Sequence, residues 1–65
     1  MMVTRWADYV LRVSKDGDIY TGTAYKRLSF AFKALARAAN DPAVIWARLD
    51  NEEEQKTIAT YRRAK

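Results

Sequence analysis

From Tyr9 to Ala24 two β-prone runs flank one polar stretch, SKDGD, and a period of two sorts their residues into two faces that both carry apolar groups. A period of two is the signature of a strand with two unlike faces. In Ser14-Lys15-Asp16-Gly17-Asp18 the glycine suits the left-handed conformation that closes a type I turn with a G1 bulge. That turn pairs Ser14 with Asp18, and so Val13 with Ile19, Leu11 with Thr21 and Tyr9 with Thr23, the last three pairs sharing one face. The opposite face carries Trp6, Asp8, Val10 and Arg12 from the first strand, and Tyr20, Gly22 and Ala24 from the second. It is not a properly polar face.

After the hairpin the period changes. Leu28, Ala31, Phe32, Leu35, Ala38 and Ala39 recur at helical spacing, with Lys33 and Arg37 on the other side. Ser29 is placed to cap the helix, and Asn40-Asp41-Pro42 ends it, because proline disfavours helix in the residue before it. Phe30 falls off the stripe, as either a flank against a strand or an exposed aromatic.

AVIWARLD and KTIATYRR then read as two further strands around the loop NEEEQ. Ile45, Ala47 and Leu49 alternate with Val44, Trp46 and Arg48, and Ile58 and Thr60 with Thr57, Ala59 and Tyr61. A helix over 51–64 is the rival reading, but the β-branched and aromatic content of TIATYRR favours a strand. The expectation is an α+β fold, ββαββ, with strands near 6–14, 18–26, 43–50 and 56–63 and a helix near 29–40. It is a four-stranded antiparallel sheet with one helix packed on the face of Leu11, Val13, Ile19, Ile45, Leu49 and Ile58.

Composition narrows the function classes. With 65 residues, 1–65 forms a single domain with one small core. A chain this short buries only about 60% of its unfolded surface, so one covering layer is all it supports. There is no Cys and no His, which removes thiolate chemistry, most zinc sites and the usual proton-transfer side chain. No glycine-rich phosphate loop, nucleophile elbow or metal-ligand spacing occurs, and the acidic loop Asp50 to Glu54 lacks the alternating oxygen ligands of a calcium site. A non-enzymatic chain without cofactor or metal is expected, cytoplasmic for want of a signal peptide or membrane-length apolar run.

The net charge is +4, unevenly spread. Lys26, Arg27, Lys33 and Arg37 lie in a stretch without acids, Arg62, Arg63 and Lys65 end the chain, and the acids gather at the two loops. Lys33 and Arg37 read as the solvated back of an amphipathic helix. If the helix covers one face, the other presents Trp6, Val10, Arg12, Tyr20, Val44, Trp46, Arg48 and Tyr61. For any single ring, folding back over the sheet edge is the simpler reading. The set as a whole reads as a contact surface, because a large apolar patch rarely faces water unused. The candidate contacts are Trp6, Arg12, Tyr20, Trp46, Arg48 and Tyr61, supported by Arg62 and Arg63. Trp, Tyr and Arg dominate protein interfaces, and the same groups stack on unpaired bases and meet phosphates.

The segments YVLRV, SFAFKALARA and VIWARLDNEEEQKTIATYR, in that order, give a layout similar to small proteins carried by bacteriophages and mobile elements, among them some anti-CRISPR proteins. The resemblance implies a stoichiometric inhibitor docking on a bacterial nucleic-acid-handling complex. Many such inhibitors are acidic DNA mimics, and this chain is basic, so charge mimicry is not implied. The first strands and helix also resemble the three-stranded DNA-binding domains of phage integrases, from which the second hairpin departs. Direct DNA or RNA binding by the same face, and a homodimer with that face as its interface, are the alternatives.

Overall fold

The computed structural model describes residues 8–63. Its elements run β1 (Tyr9–Ser14), β2 (Tyr20–Tyr25), α1 (Leu28–Asn40), β3 (Trp46–Asn51) and β4 (Lys56–Arg62). The fold is α+β, and the strands form one antiparallel sheet in the order β2-β1-β3-β4. Each hairpin contributes one central and one edge strand, and the hairpins join through β1 and β3. Among the described residues no helix is long and apolar enough to cross a membrane.

The first turn differs from its expected form in an instructive way. Gly17 has φ +90°, as expected. Yet Ser14 pairs with Tyr20 rather than Asp18, so Val13 faces Thr21, Leu11 faces Thr23 and Tyr9 faces Tyr25. The cause is Asp16, whose Oδ1 accepts from the backbone N–H of Asp18 and of Ile19, both at 2.8 Å, and takes them out of the ladder. These bonds hold the Asp16 carboxyl below the usual aspartate range. The register slips by two residues, and an even slip keeps every side chain on its face. Only Ile19 changes role. Expected under the helix, it stands 71% exposed in the turn.

The helix starts at Leu28, one residue early, with Arg27 at the N-cap and no side-chain capping bond; Ser29 lies in the first turn and does not cap. The C-terminal stop is as expected. Asp41 is the C-cap, and its carboxylate accepts from Ala43 N–H at 2.9 Å. The face of α1 that meets the sheet is built on Ala31 and Ala38, flanked by Leu28, Ala34 and Leu35. Small residues there let the helix sit close over β1 and β3, whose Leu11, Ala47 and Leu49 join the core. Phe32, expected in the stripe, is exposed, and so is Phe30.

Three further expectations reverse. Val44, placed on the open side by alternation, is a core residue. β3 begins only at Trp46, and Val44 belongs to a turn closed by its own N–H to the Asp41 carbonyl, so the strand period does not reach back to it. Ile45, expected in the core, is half-buried near the Gly17 turn instead. Tyr61 was assigned to the open side and packs against the core. Here a register irregularity in the β3–β4 ladder is responsible: Leu49 faces Ala59 while Asp50 faces Thr57, which leaves Ile58 as an extra residue. Ile58 still packs on the core, and everything after it flips face.

Candidate contact surface

Three rows of side chains cross the open face from β2 to β4. Ladder pairing defines them as Tyr20–Ser14–Trp46–Arg62, Gly22–Arg12–Arg48–Thr60 and Ala24–Val10–Asp50–Thr57. Directly paired residues share a face, so the rows follow from register alone.

The first row is aromatic. Tyr20 and Trp46 flank Ser14, and alternate strands stand about 10 Å apart. The rings nonetheless reach a centroid separation of 5.8 Å, tilted at 52°. Small Ser14 leaves the room for this and is fully buried as a result. Its hydroxyl is satisfied locally, accepting from Gly17 N–H at 2.9 Å and donating to Asp16 Oδ1 at 3.3 Å. The Trp46 indole N–H donates to the Gly17 carbonyl at 3.3 Å, and Tyr20 remains 51% exposed.

The second and third rows form an ionic network. Arg12 and Arg48 lie directly opposite one another, which like charges disfavour. Asp50, one row on and only 6% exposed, resolves the conflict. Its Oδ2 accepts from Arg12 Nη1 and, at 3.0 Å, from Arg48 Nε, while Oδ1 accepts from the Thr57 hydroxyl at 2.8 Å. Glu52 adds a contact to Arg12 at 3.5 Å. Burial opposes the Arg12 charge, but attraction from Glu52 and Asp50 outweighs it and raises its pKa. The Arg12 guanidinium carbon also lies 6.0 Å from the Tyr20 ring centroid.

The sequence-predicted contacts therefore separate. Arg12, Tyr20, Trp46 and Arg48 come together, with Arg62 at the end of the aromatic row. Trp6 lies outside the described residues. Tyr61 is on the other face. Arg63 is held at the end of the helix-to-β3 turn, its guanidinium donating to the Pro42 carbonyl at 2.8 Å and its backbone N–H to Ile45. Asp50 is the member of this surface that the sequence does not single out: it looks like part of the acidic loop, but it is the last buried position of β3. The available signal was its parity with Arg48, which places both on the open face.

The fold and surface define a small single-sheet ββαββ domain with one helix-covered face and one aromatic–arginine face. Comparison with protein-family models, curated protein sequences and solved structures finds no match to this chain.

Proposed function

We propose that this chain is a non-catalytic binding protein that engages a protein partner through the open sheet face. The observation that carries the reading is the Tyr20–Trp46 ring pair seated over buried Ser14 beside arginines already held in place by Asp50. Aromatic and arginine anchors whose rotamers are fixed beforehand lose little entropy on docking, and such residues carry most interface energy. The partner class, a bacterial nucleic-acid-handling complex met by a phage-type inhibitor, rests on the resemblance of layout alone. Direct nucleic-acid binding by this face is disfavoured by the same network. Arg12 and Arg48 are already neutralised by Asp50 and Glu52, which leaves Arg62 as the arginine of this face without an acidic partner among the described residues.

Affinity capture from a nuclease-treated bacterial lysate tests the reading. A stoichiometric protein partner is expected to survive nuclease and to be lost with Tyr20→Ala and with Trp46→Ala, both variants keeping the native circular dichroism. Capture of no protein that survives nuclease, or of one retained by both variants, contradicts it. Sedimentation at micromolar concentration is expected to give a monomer; a dimer broken by Tyr20→Ala would assign the face to a second copy of this chain.

A further inference from the structure

A cluster of cations without acidic partners among the described residues lies elsewhere, in a groove between edge strand β2 and helix α1. The groove has a volume of about 560 Å³, within the size range of ligand sites, and Tyr25, Lys26, Arg27, Phe30, Lys33 and Arg37 line it. No acidic residue occurs between Lys26 and Arg37, and among the described residues none of these cations forms a salt bridge. The N-terminus of α1 opens at the same place. It has no side-chain cap and no acidic residue in its first turn, so its N–H groups and dipole add to the positive potential. Phe30 stands 52% exposed on the wall, with the Lys33 ammonium 5.7 Å from its ring centroid.

We propose that this groove is a second binding site, distinct from the open sheet face, for single-stranded nucleic acid. The cations and the uncapped helix end would take successive backbone phosphates, and Phe30 would stack an unpaired base. A basic groove with an aromatic on its wall is the arrangement that binds single strands with little sequence preference. An exposed ring gains no such partner from a fully paired duplex, whose bases are already stacked. The open face competes weakly for the phosphates, since its Arg12 and Arg48 are paired with Asp50 and Glu52 and Arg62 stands alone at its edge.

Fluorescence anisotropy with labelled oligothymidine and with a duplex of equal length tests this in the full chain. Four phosphate contacts predict a log–log salt slope near −2.8 for the single strand, at roughly −0.7 for each contact. The Lys33→Ala/Arg37→Ala double variant should flatten the slope by about 1.4. Phe30→Ala should weaken single-strand binding roughly 5- to 150-fold, the range expected for one lost stacking contact, while leaving duplex binding unchanged. Both sites are solvent-exposed, so the variants should keep the native circular dichroism. Arg48→Ala should leave single-strand affinity unchanged, which separates this site from the open face. Absence of oligonucleotide binding at 20 mM salt, binding lost with Arg48→Ala but not with the double variant, or duplex bound as tightly as single strand would each overturn the proposal. So would capture of the chain by anionic phospholipid vesicles with no affinity for oligothymidine.

Discussion

The open sheet face and the β2–α1 groove hold similar numbers of cations and differ in what those cations do. On the open face Arg12 and Arg48 converge on one buried carboxylate and become part of the fold. In the groove Lys26, Arg27, Lys33 and Arg37 face solvent without an acidic partner among the described residues. Positive charge in a sequence therefore says little about where anions bind. What decides is whether an acid at the right strand parity or helix spacing has already claimed it.

Substitutions on the two sides of the sheet should break this comparison in unequal degrees. The largest effect belongs to the covered face, where Leu49 is fully buried against α1. Leu49→Ala should cost about 3 kcal/mol in urea unfolding, and in a domain of this size that removes most of the stability. Next comes Asp50→Ala, which leaves Arg12 facing Arg48 with only the longer Glu52 contact as counter-charge and strips the Thr57 hydroxyl of its acceptor. Removing one partner of a buried pair costs 3–5 kcal/mol, and the part-exposure of both arginines reduces the expected loss to about 2 kcal/mol. If Asp50 acts as the neutralising group, Arg48→Ala in the Asp50→Ala background should recover part of that loss. A double variant weaker than the single one would remove the network from the account.

Smaller effects test the turns. Gln55 adopts φ +55° in the β3–β4 turn, a left-handed conformation that disfavours side chains. Gln55→Gly should stabilise the chain by about 0.5 kcal/mol, because relief of strain is partly offset by the greater freedom of glycine when unfolded. The smallest effect is local and pH-dependent. The Asp16 carboxyl, lowered by its bonds to Asp18 and Ile19, stabilises the turn above the unfolded aspartate pKa. That contribution fades as pH falls through the lower folded value. The protection of the Asp18 and Ile19 amides, measured against the intrinsic exchange rate at each pH, should fall on acidification, and Asp16→Ala should remove it at every pH.

The sheet and helix were legible because their patterns are long and consistent. Period-two alternation in YVLRV and helical spacing in Leu28, Ala31, Leu35 and Ala38 each point one way, and Pro42 marks the boundary between helix and strand. The register slip at Asp16 did no harm to the face assignment because it was even. The irregularity at Ile58 did, because one extra residue inverts all that follow, and nothing in TIATYRR announces it. Tyr61 was lost to the open face for that reason and Val44 because its segment is a turn. Strand order and the charge network were illegible for a related cause. Both depend on β1 pairing with β3 across 38 residues of sequence, which no local pattern encodes.

The division of labour between the two surfaces can be read in one titration. Isotope-labelled protein, followed by amide and arginine Nε–H shifts as oligothymidine is added, reports both at once. Shifts concentrated from Tyr25 to Arg37, with Arg12 and Arg48 Nε–H unmoved, are the predicted result. Shifts centred on Arg12, Tyr20, Trp46 and Arg48, with the groove silent, would contradict it.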